Sequence, residues 1–359
     1  MSSSFDPTNV DLDTADPAQV VCYLNQGGND YNGHLGARIS SIFVILFVST
    51  FVTVFPVAAK RVPSLKIPLY VYLFARYFGT GVIIATAFVH LLDPAYEEIG
   101  PASCVGMTGN WAVYSWPPAL VLASITVIFL MDFGAELYVE SKYGIQKEAP
   151  VNIVTGHVHH QEGSQSYPQD HEHQQNPDKA TVAYNNSEAD SLSAEISMKQ
   201  QFAAFLILEF GVIFHSVIIG LNLGVAGDEF ATLYPVLVFH QSFEGLGIGA
   251  RLSAIEFKRS LRWVPWVLCI AYGLTTPIAI AIGLGVRTTY NPNSNTANIV
   301  SGVLDSISAG ILIYTGLVEL LARDFLFDPC RTNSRRQLGF MILSTLLGAG
   351  IMALLGKWA

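Results

Sequence analysis

His215 and His240 each begin the same short pattern, His-x4-Gly-x3-Gly, completed by Gly220 and Gly224 in one copy and by Gly245 and Gly249 in the other. Glu244 follows His240 by four residues, so on a helix its carboxylate points the same way as the imidazole. Two imidazoles and a carboxylate make a donor set for a divalent transition metal, and the carboxylate offsets part of the ion's charge. Ser216 and Gln241, each next to a histidine, can add oxygen ligands or hydrogen bonds that orient the rings. The glycine pairs read as small-x3-small seams that let helix backbones approach closely, and bind nothing themselves. A single histidine in a helix is more often a satisfied core residue than a ligand. The case here rests on three groups at one depth.

That depth follows from the elements that carry them. Of the 359 residues 51% are hydrophobic and only 13% charged, with a mean hydropathy of +0.41. A soluble domain averages ~25% charged residues. Eight apolar segments are expected to be membrane-spanning helices, near 38–59, 69–92, 118–139, 202–225, 231–252, 263–286, 298–322 and 338–356. Each holds about 20 residues or slightly more, as a ~30 Å hydrocarbon core requires. Lys60, Arg61 and Lys66 lie between the first two; Lys142, Lys147, Lys179 and Lys199 between the third and fourth. Lys258, Arg259 and Arg262 lie between the fifth and sixth, and Arg323, Arg331, Arg335 and Arg336 between the last two. The alternate connections, 93–117, 226–230 and 287–297, hold Arg287 alone. Basic connections stay in the cytoplasm, so both termini are expected outside, with the plasma membrane as the location. Span four then runs outward and span five inward. At 1.5 Å per residue, His215 lies about 15 Å below the outer end, and His240 and Glu244 about 13 and 20 Å. A charged group at such depth costs ~2.5–3.5 kcal/mol on insertion scales, and is kept where it faces a bundle interior and binds something.

The segments His215-Ser-Val-Ile-Ile-Gly220 and His240-Gln-Ser-Phe-Glu244-Gly245 resemble the paired signature of the ZIP family of zinc and iron-regulated transporters, in its fungal and plant branch. Ala87-Phe-Val-His90-Leu-Leu, the His-rich loop after the third span and the segment count extend the resemblance over nearly all of the chain. It implies an all-α polytopic membrane protein that imports a divalent metal ion, first of all zinc, with no ATP and no catalytic cofactor. Import of Fe2+, Mn2+ or Cd2+ stays open, because two imidazoles and a carboxylate suit several ions. The resemblance also suggests a homodimer. Some relatives carry further acidic residues on these helices and hold two metals. Here Ile219 stands one turn after His215, and Ser216 and Gln241 are neutral, so a second metal site is expected to be weak or missing.

Other residues extend the reading along the membrane normal. His90 and Asp93, three apart at the outer end of span two, would share a helical face and form a metal entrance. A helix cap and a surface carboxylate are the plainer alternative. Glu97 and Glu98 add negative potential at that mouth, while Glu209, Asp132, Glu136 and Glu319 line an exit or pair with cytoplasmic Lys and Arg. The tail 1–37 is polar and acidic and cannot bury a core, and its start does not read as a cleaved signal peptide. The loop 140–201 is expected to be disordered and cytoplasmic, between the spans of 38–139 and those of 202–359. Its His157, His159, His160, His171 and His173 suit weak, exchangeable metal binding in a regulatory loop, or are incidental in a linker. Its lysines are candidate acceptors for the ubiquitination machinery. Cys22 and Cys104 would both lie outside, with Cys269 inside span six and Cys330 cytoplasmic. Only the first two would meet an oxidising compartment, as a disulfide or as two thiols.

Rival classes fit less well. His240-Gln-Ser-Phe-Glu244 lacks the second histidine of a zinc-protease HExxH motif. His157-Val-His159-His160 is like a histidine box of membrane di-iron oxygenases but sits in low-complexity sequence. No basic cluster interleaves with aromatics, which argues against nucleic acid as a partner. The expected partners are a divalent metal ion and the lipid bilayer.

Overall fold

The computed structural model describes residues 6–11, 13–25, 31–62, 67–143, 178–327 and 331–358. They fall into two units: Met1–Phe129 with Phe202–Ala359, and Leu130–Gln201. The chain is an all-α polytopic membrane protein, with no strand among the described residues. Helix α1 spans Pro17–Asn25 and α2 spans Leu35–Arg61. Helix α3 (Leu69–Ala85) passes through a π-helical stretch, Thr86–Leu92, into α4 (Asp93–Ile99). Then come α5 (Trp116–Tyr143), α6 (Asp178–Val225), α7 (Phe230–Ala254) and α8 (Val264–Gly285). Helix α9 (Asn295–Tyr314) runs on as a second π-helical stretch, Thr315–Phe327, and α10 is Arg335–Leu355.

Among the described residues 7 helices are long and apolar enough to cross a membrane. The expected fifth span is the helix outside that set. Helix α7 forms as expected over 25 residues, but its middle holds His240, Gln241 and Glu244, all buried, in place of apolar side chains. A helix that polar spans only when neighbours enclose it. They do: α7 packs against both α2 and α3.

Helix α2 shows how lipid inverts the usual pattern. It buries Arg38, Ser41, Ser49 and Thr53 and exposes Phe43, Phe47 and Phe51. Apolar rings face hydrocarbon at no cost, while small polar residues allow close helix contact and bond back to their own carbonyls, as Thr53 does to Ser49. The glycine seams act in the same way, on partners that spacing could not name. A Cβ on Gly249 would lie 2.0 Å from the Thr53 carbonyl oxygen, and one on Gly224 2.8 Å from the Leu284 nitrogen. Thus Gly245 and Gly249 dock α7 on α2, and Gly220 and Gly224 dock α6 on α8. Neither seam joins α6 directly to α7.

Arg38 fastens the end of the bundle where α2 begins and α6 ends. Fully buried, it donates to the carbonyls of Leu223, Gly224 and Ala226, at the end of α6, and to Gly33 and Asn32. Those carbonyls have no partner within their own helix, so the guanidinium completes the helix end. Beneath it Ile45, Leu223, Phe230, Leu237 and Ile280 join α2, α6, α7 and α8 in one apolar cluster.

The N-terminal tail is more structured than its composition suggests. Helix α1 starts where Asp16 accepts from the Ala18 nitrogen and Pro17 takes the first helical position. Cys22 on α1 is joined to Cys104, in the connection between α4 and α5. In the second unit, α5 runs to Tyr143 and α6 begins at Asp178, so the stretch 178–201, expected to be disordered, is helical. Its Ala180, Ala183, Glu188, Ala189, Leu192, Ala194 and Glu195 are helix formers, a preference that absent hydrophobic periodicity conceals. His157, His159, His160, His171 and His173 lie outside the described residues, as does Cys330.

Candidate metal site

Helix α6 presents His215 and Ser216, and α7 presents His240, Gln241 and Glu244; all five are buried. The rings of His215 and His240 lie 5.4 Å apart, centre to centre. His240 Nε2 is 3.9 Å from Glu244 Oε2, as the four-residue spacing requires, and beyond hydrogen-bond reach. The Nε2 atoms of both histidines, Glu244 Oε1 and Ser216 Oγ have no hydrogen-bond partner. Buried polar atoms are nearly always paired, so such a concentration of unpaired donors and acceptors marks a place for water or an ion. Among the described residues no three His, Cys, Asp or Glu groups already converge as a finished metal cage.

Gln241 faces another way. Its Oε1 accepts from the Tyr272 hydroxyl at 2.7 Å and its Nε2 donates to Thr276, so both ends of the amide are held by α8. The same Tyr272 hydroxyl lies 3.1 Å from Glu244 Oε2. Gln241 thus orients Glu244 through Tyr272, and acting as a metal ligand would break bonds it already has.

His90 and Asp93 do not form a shared station. The second span continues to Ile99, so His90 lies well inside it. The π-helical turn is wider than an α turn, so residues three apart no longer share a face. His90 is buried and meets His240 edge to face at 4.7 Å, with its Nε2 3.2 Å from the Met352 carbonyl, whereas Asp93 is exposed. The expected entrance histidine is therefore a third imidazole in the central cluster.

Asp305, which the sequence reading passed over, completes the cluster from α9. It is 3% exposed, and its Oδ1 is 4.0 Å from His215 Nδ1 and has no hydrogen-bond partner. The signal was there: an aspartate among Ser301, Ser306 and Ser308 in the middle of an apolar segment deserves the same inference as a mid-membrane histidine. A cavity of about 290 Å³ reaches this group from the α4 end, past Glu97 and Glu98, with His90, His215, His240 and Asp305 in its wall. On the other side Glu209 is buried, and Glu319 is held by Arg323 through two contacts of 3.0 and 2.7 Å. Of the two roles open to Glu319, pairing with a basic side chain is the one seen.

The sequence model described as ZIP Zinc transporter matches residues 35–356. The chain belongs to the ZIP family. It is 59% identical to Zinc-regulated transporter 1 of Saccharomyces cerevisiae, over 99% of this chain and 97% of the relative. Zinc-regulated transporter 1 of Schizosaccharomyces pombe is 40% identical over 98% and 92% of the two chains. Zinc transporter 9 of Oryza sativa subsp. japonica is 33% identical over 95% and 94%. Within this ZIP chain the three buried imidazoles, Glu244 and Asp305 come from the second span, α6, α7 and α9. The elements that bear them are spread along the sequence and meet only in the fold.

Proposed function

We propose that this ZIP protein carries zinc across the membrane into the cytoplasm, binding it between α6 and α7 on the way. The observation that carries this reading is the set of unpaired atoms on His215, His240 and Glu244 beside a cavity that leads to the α4 end. The zinc transporters among its relatives support zinc as the cargo. A hydrated zinc ion enters past Glu97 and Glu98 and exchanges water for imidazole nitrogen and carboxylate oxygen, at ~2.0–2.2 Å from the metal. His215, His240 and Glu244 are the core ligands; Ser216, His90 and Asp305 assist. His240 Nε2 and Glu244 Oε2 stand 3.9 Å apart, so the ligand atoms draw together as the ion loses water. Release follows when one group of helices moves against the other and opens the far side. Low free zinc in the cytoplasm drives the flux.

The distribution of Lys and Arg supports a plasma-membrane protein with both termini outside, so that the α4 end faces the exterior. The histidines of the 140–201 loop then sense cytoplasmic zinc, and its lysines accept ubiquitin. A homodimer is the proposed assembly. His215→Ala, His240→Ala and Glu244→Ala are each expected to abolish zinc uptake in cells lacking their own importer, at normal surface abundance. Near-normal uptake by any two of them would reject the site.

A further inference from the structure

A second cavity, of about 580 Å³, lies at the opposite end of the bundle, where α2 and α7 end and α8 begins. Lys60, Arg61 and Arg262 line it, with Glu256 as the one carboxylate in its wall. Lys60 Nζ reaches only the Ala254 carbonyl, at 3.4 Å, and Arg61 donates to the Arg262 carbonyl at 2.7 Å. Among the described residues none of these three cations has a carboxylate within 4.0 Å. Folding thus gathers three cations from two separate connections against a single carboxylate. A cluster of one sign in a concave wall draws anions to it. The remaining wall is apolar, with Phe257 and Trp266. Trp263 beside it is 59% exposed, as tryptophans are where hydrocarbon meets headgroups.

We infer that this cavity binds the phosphorylated headgroup of an anionic membrane lipid. Three donors of positive charge match phosphate oxygens, and Arg offers a two-pronged contact. The apolar wall suits the glycerol and first methylenes, which a soluble phosphate lacks. The volume exceeds what one phosphate fills and matches a sugar-phosphate headgroup. Assigning it to the cytoplasmic leaflet, where anionic lipids concentrate, rests on the topology proposed above. The binding itself does not, because a nanodisc presents both faces.

The test uses the full-length protein in phosphatidylcholine nanodiscs, titrated with short-chain phosphatidylinositol phosphate, with phosphatidylcholine of equal chain length and with inorganic phosphate. Retained lipid is read by native mass spectrometry. The phosphoinositide should be retained selectively, and Arg61→Gln with Arg262→Gln should weaken it roughly thirtyfold, given the contribution expected of each basic residue near a membrane. Glu256→Gln should tighten it. Equal retention of phosphatidylcholine, or no response to either change, would overturn the site. Competition by inorganic phosphate at the lipid's own concentration would overturn the lipid assignment in favour of a soluble phosphate. Should the double variant fail to fold, Glu256→Gln decides alone, and unchanged affinity would reject the proposal.

Discussion

At the scale of single residues, His215, His240 and Glu244 are the proposed zinc ligands, and other groups hold them in place. Tyr272 belongs to the second kind: its hydroxyl serves Gln241 and Glu244 together. Tyr272→Phe keeps the buried ring and removes only that hydroxyl, leaving an acceptor unpaired at ~1–3 kcal/mol. The expected outcome is zinc uptake with kcat lowered about tenfold and surface abundance unchanged. Asp305→Asn, facing His215 from the cavity wall, should raise KM more than it lowers kcat. Unaltered kinetics in both variants would remove α8 and α9 from the site. His215, His240 and Glu244 were legible because their spacing and depth agree without a structure. His90 was legible as a metal-binding type but misplaced, since an α-helical period was assumed where the helix widens. Tyr272 and Thr276 were not legible, because nothing in sequence tells which neighbouring helix will meet Gln241.

At the scale of elements, close packing places the proposed ligands. A Cβ on Gly247 would lie 2.8 Å from the Gly79 Cα, so α7 and α3 touch backbone to backbone. Gly247→Val should separate them and cost at least ~1–3 kcal/mol, read as a lower midpoint of thermal unfolding in detergent. Gly350→Val, on α10 with nothing within 4 Å of its Cβ position, should leave the midpoint unchanged and serves as the control. Arg38→Met should lower it too, through a loss of at least ~3 kcal/mol of stability, because several buried carbonyls lose a charged donor together. Among the described residues 7 helices pass as spans on length and apolarity, α7 being the expected span that does not, and approximate lengths followed from hydropathy. Termini did not: α9 and its π-helical continuation run past the expected 322 to Phe327, and the second span past 92 to Ile99, where polar residues remain helical through contacts that composition does not record. The glycine seams were recognisable as seams, yet their partners, α2 for one and α8 for the other, required the fold.

At the scale of the molecule, the tail and the transport path are two separate tests. The Cys22–Cys104 bond closes a separation of 82 residues and ties α1 to the connection between α4 and α5. By the chain-entropy estimate it stabilises by up to ~4.5 kcal/mol. Replacing both cysteines by serine should lower the unfolding midpoint while leaving the zinc site intact; recovery of both as free thiols from surface protein would reject the bond. The pairing of these cysteines was readable as one of two outcomes, because bond formation depends on which side of a membrane each loop occupies. The anion-binding cavity was not, since its cations come from two connections that only the fold brings together. The central claim is that zinc crosses the bilayer through the His215, His240 and Glu244 site. Purified protein in sealed liposomes holding a zinc-sensitive dye tests it most directly. The account predicts a saturable dye signal when zinc is added outside, and its loss in His240→Ala and Glu244→Ala. A wild-type signal no faster than that of empty liposomes, or variants as fast as the wild type, would contradict it.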